Sequence, residues 1–119
     1  MQCIGVDIIE IARIERAVTR WGERFLKRIY TEKELELCRN RADSLAARFA
    51  AKEAAMKALG TDTVKWRDVE TLSGSSGQPL IYLHGKAQKR ARQVGLKGLT
   101  ISLSHCQDYA IASVIGEGA

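Results

Sequence analysis

Residues 48–60 constrain the fold more than any other part of this chain. The segment has the sequence RFAAKEAAMKALG, in which nearly every residue is a strong helix former. Asp43 or Ser44 is placed to cap the start of the helix, and Gly60 suits the left-handed position just after its end. Small apolar residues fill most other positions, so we expect a helix with the character of a core element.

The charged residues of this helix, Lys52, Glu53 and Lys57, stand among small apolar neighbours. Glu53 and Lys57 are four residues apart and therefore share a face. Pairs of this kind are common on exposed helices, where they contribute little to stability. The alternative is a functional role, which requires another charged group elsewhere in the fold to meet them.

Residues 2–9 predict a strand, because β-branched residues dominate the segment. Alternation places Asp7 on the same face as Gly5 and Ile9. An ionised carboxylate in an apolar setting is costly unless it is paired or bound to a metal. Alternatively, Asp7 lies at the end of the strand and caps the next helix.

The pattern from Ile9 to Phe25 predicts one helix with an apolar face and a basic face. The apolar positions recur at three- and four-residue spacing and are Ile11, Ile14, Ala17 or Val18, and Trp21. The opposite positions carry the arginines Arg13, Arg16, Arg20 and Arg24. Guanidinium groups in register, with little acid between them, indicate a docking surface for an acidic partner; the alternative is a solvated basic face.

The rest of the chain predicts shorter helices and several strands. Residues 26–30 form a connection, and Thr31 and Glu34 have the spacing of a capping box. The further elements are a helix to about Asn40, a hairpin of 69–73 and 79–83 around the turn 74–77, a basic helix from Gly85 to about Val94, and strands at 99–105 and 109–115. This order predicts one domain, residues 1–119, of the α+β class, with a mainly antiparallel sheet packed against a central helix.

Composition limits the classes of binding partner and of cellular compartment that suit this chain. A net charge of +5 indicates an anionic partner. The cysteines, Cys3, Cys38 and Cys106, are too dispersed for a disulfide framework or a zinc site and favour a reducing, cytoplasmic setting. We expect no membrane association, because no apolar run approaches the roughly 20 residues of a spanning helix and the N-terminus does not resemble a signal peptide.

The carboxylates of Asp7 and Glu53 are the best candidates for chemistry. Two hard oxygen ligands that leave other coordination positions open suit Mg²⁺, which keeps several water ligands and is often also coordinated by substrate phosphates. Lys52, Lys57 and His105 are the nearby candidates to face phosphate. A site of this composition indicates phosphoryl-type chemistry, in which positioning and charge neutralisation provide most of the catalysis.

Two motifs in this order resemble the holo-acyl-carrier-protein synthase family of 4′-phosphopantetheinyl transferases. The first is Gly5-Val6-Asp7-Ile8 followed by Glu10 and Arg13-Ile14, and the second is Arg48-Phe49-Ala50-Ala51-Lys52-Glu53-Ala54 followed by Lys57-Ala58-Leu59-Gly60. Further agreement comes from Gly77-Gln78-Pro79, Ile101-Ser102-Leu103-Ser104-His105 and Tyr109-Ala110. The resemblance covers essentially the whole chain and implies a 4′-phosphopantetheinyl transferase-like fold.

The resemblance implies a reaction and its partners. The family moves 4′-phosphopantetheine from coenzyme A to a serine of apo-acyl carrier protein, releases adenosine 3′,5′-bisphosphate and supports fatty acid biosynthesis. Its short members are homotrimers with active sites at subunit boundaries. The same assembly is implied for this chain, with no role for nucleic acid or a membrane.

The resemblance also implies a role for each motif residue. Asp7 and Glu53 are the implied Mg²⁺ ligands, and Glu53 is the candidate to accept the serine proton. Lys57 is implied to face the pyrophosphate of coenzyme A, next to Gly60, and His105 to lie near its nucleotide end. The implied docking surface for the acidic helix of the carrier protein consists of Arg13, Arg20 and Arg24.

One departure and two alternatives accompany this interpretation. After Gly60 the family commonly has a glycine-rich loop, whereas this chain has Thr61-Asp62-Thr63-Val64-Lys65. The basic charge is also compatible with a small RNA- or DNA-binding domain, although aromatic residues for base stacking make up only 6% of the chain. A second alternative is a structural homo-oligomer whose active site has been lost, against which Asp7, Glu53 and Lys57 are all present.

Overall fold

The computed structural model describes residues 2–118 and contains five strands, five α-helices and one short 3-10 turn. In chain order they are β1 (Gln2–Glu10), α1 (Ile11–Trp21), α2 (Glu23–Ile29), α3 (Glu32–Cys38), α4 (Ala42–Leu59), the 3-10 turn (Trp66–Asp68), β2 (Val69–Ser73), β3 (Pro79–Leu83), α5 (Gly85–Gln93), β4 (Leu96–His105) and β5 (Tyr109–Gly118). No helix within residues 2–118 has both the length and the apolar character that crossing a membrane requires.

The strands form two antiparallel sheets. One has the order β1-β5-β4, so the last strand of the chain is central and pairs with the first strand on one side and with β4 on the other. The second sheet is the hairpin of β2 and β3. In the larger sheet Asp7 lies opposite Ala112, within β1 rather than at its end. The α+β prediction and the predicted hairpin are therefore confirmed, and the alternative that Asp7 caps the next helix is wrong.

The central helix α4 packs on one face of the larger sheet. Its alanines keep the helix narrow, so the backbone of β1 approaches it closely at Gly5. A Cβ atom at Gly5 would lie 1.8 Å from the Ala54 carbonyl oxygen, which leaves no space for any other residue. This close approach holds β1, and with it Asp7, directly against α4.

The other face of the larger sheet is apolar and exposed. Alternation along β1 and β5 turns large aliphatic side chains away from α4. Those more than one-third exposed are Ile4, Val6, Ile8, Ile111 and Ile115. Cross-strand partners in this set, such as Ile4 with Ile115, form one continuous patch, which is unusual on a protein that acts as a monomer.

The prediction of one helix from Ile9 to Phe25 is wrong. The first helix ends at Gly22, whose φ of 56° and ψ of −133° lie outside the helical region. The second helix, α2, then runs to Ile29, through the segment 26–30 that was predicted to be a connection. Trp21, which was expected on the apolar face, is 51% exposed. The arginines therefore lie on two helices instead of one stripe.

The capping residues predicted for α3 and α4 agree only in part with the observed helix ends. The capping box of Thr31 and Glu34 is present at the start of α3, and Gly60 ends α4 in the left-handed conformation, as predicted. The prediction that Asp43 or Ser44 caps α4 is wrong. Arg41 occupies the cap position and its side chain makes no capping hydrogen bond, although Asp43 Oδ1 accepts a 2.7 Å hydrogen bond from the Ser44 backbone amide within the first turn.

Candidate functional site

Lys57 joins the second predicted motif to the first through polar contacts with β1. Lys57 Nζ lies 3.2 Å from Asp7 Oδ1 and donates a second hydrogen bond, of 3.0 Å, to the Val6 carbonyl oxygen. The Asp7 side chain is 18% exposed, whereas that of Lys57 is 57% exposed. Lys57 thus pairs with Asp7, and the alternative of an ordinary Glu53–Lys57 ion pair is not formed within residues 2–118.

Glu53 shares this site with Asp7. Burial raises the pKa of the Glu53 carboxyl above its ordinary value, and the Asp7 carboxylate raises the same pKa further. Lys57 and Arg13 act in the opposite direction on the pKa of Glu53. The docking of β1 on α4 therefore places the Asp7 carboxylate near enough to Glu53 to disfavour the ionisation of Glu53.

A shallow cleft opens beside these carboxylates at the C-terminal end of α4. It has a volume of about 440 Å³ and is lined by Glu53, Met56, Lys57, Gly60, Thr61 and Asp62. Arg90 of α5 supports its floor, because Nε donates a 2.8 Å hydrogen bond to the Leu59 carbonyl oxygen and Nη2 one of 3.4 Å to that of Gly60. The atypical Asp62 thus forms part of the cleft wall.

His105 lies at the opposite end of α4. It lines a second pocket, of about 250 Å³, together with Arg41, Arg48 and Ser44. Since a helix rises about 1.5 Å per residue, Ser44 and Lys57 are about 20 Å apart. One copy of the chain therefore does not bring His105 to the carboxylates of the first cleft.

Arg48 is a residue of this second pocket to which the sequence assigned no role of its own. It is only 9% exposed; its Nε donates to the Thr71 carbonyl oxygen at 3.2 Å and its Nη1 to Ser44 Oγ at 2.9 Å. These bonds hold the guanidinium at the pocket beside His105. The signal was present in the sequence, because Arg48, like Lys52, is a charged residue among small apolar neighbours in a helical segment.

The expectation that Lys52 faces phosphate is wrong. Its ammonium group is fully buried, lies 2.8 Å from Glu34 Oε1 and also donates to the carbonyl oxygens of Trp66 and Val69. Burial lowers the pKa of Lys52, and the Glu34 carboxylate opposes that shift. Lys52 is therefore a structural residue that joins α4 to α3 and β2.

The three arginines of the predicted docking surface are exposed but occupy different places. Arg13 is on α1 and near enough to Glu53 to lower its pKa. The Arg20 guanidinium lies 5.0 Å from the centre of the Trp21 ring, a cation–π distance, and Arg24 follows on α2. Trp21, Arg24, Phe25 and Arg28 surround a pocket of about 340 Å³ at the junction of the two helices.

The donor set at Asp7 and Glu53 is small. Within residues 2–118 no group of three or more His, Cys, Asp or Glu side chains is placed to hold a metal ion. A site with a complete protein ligand shell is therefore absent from the described chain. Two carboxylates beside an open cleft instead fit a hard cation that keeps waters or shares phosphate oxygens.

A family model described as the 4′-phosphopantetheinyl transferase superfamily matches residues 3–114. The holo-[acyl-carrier-protein] synthase of Herpetosiphon aurantiacus is 50% identical over 127 residues, covering 99% of this chain and 100% of that protein. The chain belongs to the holo-acyl-carrier-protein synthase family. The resemblance inferred from the motifs is thereby confirmed, as is the prediction that the protein is an enzyme of this family.

Other members of the family support the same relationship. The holo-[acyl-carrier-protein] synthase of Dehalococcoides mccartyi strain CBDB1 is 53% identical over 114 residues and spans 95% of this chain and 96% of its own. The crystal structure of the Helicobacter pylori enzyme in complex with coenzyme A superposes with a TM-score of 0.88 at 34% identity, covering 96% of this chain and 99% of that one. The α+β fold is therefore that of the family.

Proposed function

We propose that this chain transfers 4′-phosphopantetheine from coenzyme A to a serine of apo-acyl carrier protein in a Mg²⁺-dependent reaction. The observation that carries the proposal is the meeting of Asp7, Glu53 and Lys57 where β1 crosses α4. Relatives that share the family name, and structures of relatives in complex with coenzyme A, support this substrate. The products are holo-acyl carrier protein, which supports fatty acid biosynthesis in the cytoplasm, and adenosine 3′,5′-bisphosphate.

Asp7 and Glu53 fit the expected Mg²⁺ ion. Both are hard oxygen ligands, they come from two elements that pack directly on each other, and the open cleft beside them leaves room for waters and phosphate oxygens. The raised pKa of Glu53 marks a place where a second positive charge would be stabilising. When bound, the ion neutralises charge on the pyrophosphate as the phosphoryl group moves.

The chain's own residues account for the remaining requirements of the transfer. The serine Oγ attacks the β-phosphorus of coenzyme A. The bond from that phosphorus to the bridging oxygen breaks, and this oxygen leaves as part of adenosine 3′,5′-bisphosphate. Lys57, on a flexible and exposed stem, is the point charge that binds the pyrophosphate and balances the leaving group. Glu53 is the candidate acceptor of the serine proton, because its carboxylate lines the cleft in which the reacting groups would meet.

The pocket at the other end of α4 suits the nucleotide end of coenzyme A. Arg41, Arg48 and His105 surround it with basic groups, as an adenosine that carries a phosphate requires. A single coenzyme A bound by both His105 and Lys57 requires two copies of the chain, because these residues lie at opposite ends of one helix. We therefore propose that each active site is shared between subunits.

The exposed apolar face of the larger sheet is the proposed subunit interface. Ile4, Val6, Ile8, Ile111 and Ile115 would be buried there by their equivalents in other copies. Each aliphatic side chain taken fully out of water contributes about 1.5–3 kcal/mol, so the patch is large enough to drive association. We propose that the assembly is a homotrimer, as the family resemblance implies.

The docking surface for the acidic carrier protein is proposed to consist of Arg13, Arg20 and Arg24. All are exposed, and Arg13 adjoins the carboxylate site, so a carrier bound along α1 would place its serine near Glu53. Complementary charge steers such encounters and fixes their orientation. The positive net charge of +5 is thereby explained by a protein partner, without nucleic acid.

The transfer is tested by incubating the protein with apo-acyl carrier protein, coenzyme A and Mg²⁺ and weighing the carrier by mass spectrometry. We expect the carrier to gain one phosphopantetheine arm, and the gain to disappear with a chelator or with Asp7→Asn. A carrier whose acceptor serine is replaced by alanine is the matched control. An unchanged carrier mass with the wild-type protein would exclude the proposed activity.

A further inference from the structure

We propose that Lys57 is the resident counter-ion of the metal-free site and leaves Asp7 when a divalent cation binds. Its ammonium group then becomes available to phosphate, so that Lys57 couples the two binding events. The inference rests on the proposed function for the identity of the cation site and of the phosphate ligand. It adds a second role for Lys57 and an order in which the site fills.

The contacts of Lys57 resemble those of a bound cation. Nζ lies between two oxygens, 3.2 Å from Asp7 Oδ1 and 3.0 Å from the Val6 carbonyl oxygen. A carboxylate oxygen that accepts from an ammonium group has less electron density to offer a metal ion. Lys57 and the metal therefore compete for Asp7.

The two partners differ in their freedom to move. Asp7 is held within β1 by the pairing of that strand with β5, where it lies opposite Ala112. The Lys57 side chain is 57% exposed and ends in a flexible four-carbon stem. Displacing Lys57 therefore costs a partly exposed ion pair and one hydrogen bond to the Val6 carbonyl oxygen, both of which water can replace at an exposed ammonium group.

Repulsion makes the exchange necessary. A divalent ion held by Asp7 and Glu53 would lie next to the ammonium of Lys57 if that group kept its present position, and like charges at such a distance destabilise each other. Rotation of the side chain carries the ammonium into the adjoining cleft, whose wall already includes Lys57. This cleft is the proposed place of the pyrophosphate.

Exchange predicts opposite effects on two ligands. Removal of the ammonium relieves competition and strengthens the binding of metal alone, whereas it removes a contact to phosphate and weakens the binding of coenzyme A. Coupling between two ligands is reciprocal, so coenzyme A must strengthen metal binding in the wild-type protein by the same factor as metal strengthens coenzyme A binding. Without Lys57 that factor falls.

The experiment is a calorimetric titration of the full chain with Mg²⁺, and with Mn²⁺ as a second probe, in the absence and presence of coenzyme A. Lys57→Met is the test variant. Lys89→Met removes the same charge from an exposed position on α5 and is the matched control. Lys57→Arg keeps a competing charge, and far-ultraviolet circular dichroism verifies that each variant is folded.

We expect Lys57→Met to bind the metal alone about two- to fivefold more tightly than the wild type, the range that a partly exposed ion pair allows. Lys89→Met and Lys57→Arg should remain near the wild-type affinity, and the strengthening by coenzyme A should diminish in Lys57→Met. Equal or weaker metal binding by Lys57→Met, with binding still lost in Asp7→Asn, would overturn the exchange and leave the cation site standing. Metal binding that is absent, or insensitive to Asp7→Asn, would overturn both.

Discussion

Lys52 and Glu34 form an ion pair in which both side chains are completely buried, with 2.8 Å between Nζ and Oε1. Glu34 also accepts hydrogen bonds from the Thr31 and Thr71 backbone amides, through Oε1 and Oε2 respectively. The two charged groups thus pair with each other and also form hydrogen bonds with backbone groups at the start of α3, in the 3-10 turn and in β2. Lys52 is the immediate neighbour of Glu53 in sequence, yet it points into the core while Glu53 lines the candidate cleft.

Breaking this buried pair should destabilise the protein strongly. We expect Lys52→Met to lower the free energy of unfolding by about 3–5 kcal/mol, because it leaves the Glu34 carboxylate buried without its counter-ion. Urea unfolding measures the change. Lys27→Met, which removes the exposed pair with Glu23, is the control and should cost under about 1 kcal/mol. Equal effects of the two substitutions would show that burial of the Lys52 pair has no energetic importance.

The close contact at Gly5 should not tolerate a side chain. We expect Gly5→Ala to destabilise the fold by at least about 1–3 kcal/mol, since its Cβ would overlap the Ala54 carbonyl oxygen and separate β1 from α4. Thermal unfolding and phosphopantetheine transfer should both suffer, because the same shift moves Asp7. At Gly98 a Cβ meets nothing within 4 Å, so Gly98→Ala is the control and should change neither quantity appreciably. A Gly5→Ala protein of wild-type stability would contradict the packing described.

The ionised carboxylate of Glu53 should oppose folding at neutral pH when no metal is bound. Because the pKa of Glu53 is raised in the folded state, folding favours its protonated form. The stability that Glu53 contributes is fully present below its unfolded pKa, about 4.3, and is lost as pH rises through the higher folded value. We therefore expect Glu53→Gln, in the presence of a chelator, to raise the melting temperature at pH 7 but not at about pH 4.

Glu36→Gln is the matched control for this pH dependence. Glu36 is an exposed carboxylate on α3, so neutralising it should leave the difference between the two pH values unchanged. Glu53→Gln should also abolish phosphopantetheine transfer, which separates its role in the reaction from its effect on stability. A variant that is less stable than the wild type at pH 7 would contradict the raised pKa, and a fully active variant would remove Glu53 from the metal site.

Reversal of charge at Arg13 and Arg20 should weaken binding of the carrier protein. We expect the double variant, both residues changed to Glu, to bind apo-acyl carrier protein more weakly, with the largest loss at low salt, where charges are screened least. Surface plasmon resonance at several salt concentrations measures the effect. Reversal of Lys86 and Lys89 on α5 changes the net charge equally and should affect binding far less. Equal losses would mean that only net charge matters.

A site shared between subunits should permit complementation. We expect His105→Ala and Glu53→Gln to be inactive separately, and their mixture, after subunit exchange, to regain activity in sites that combine two intact halves. Analytical ultracentrifugation of the wild type and of Ile8→Glu tests the assembly itself, because a charge in the apolar patch should dissociate it. Failure of a fully exchanged mixture to recover activity would exclude a shared site.

The elements that the sequence predicted correctly are those specified by local pattern. The alternation of β1, the helix formers of α4, the capping box at Thr31 and the turn between β2 and β3 are all properties of short segments. The same patterns misjudged residues 9–25, where helical spacing continues across Gly22 but the backbone does not. Glycine adopts a positive φ without strain, and the spacing of apolar residues does not show whether a given glycine does so.

Local sequence pattern could not predict which residues the charged groups pair with. Lys52, Glu53 and Lys57 occupy one helix and share the same kind of neighbours in the sequence. In the fold, however, Lys52 is a core residue bound to Glu34, whereas Lys57 contacts Asp7 across α4 and β1. Helical spacing states which residues share a face, but it does not state which strand will pack there.

By itself the sequence determined the α+β class, the membership of the family and the identity of Asp7, Glu53 and Lys57 as candidates, because all of these depend on residue type and spacing. Only the tertiary structure decided that β1 packs against α4 at Gly5, that Lys52 is withdrawn into the core, and that His105 lies at the far end of the same helix. The physical reason is that burial and charge pairing depend on contacts between residues 18 to about 50 positions apart in the chain, which only the packed chain defines.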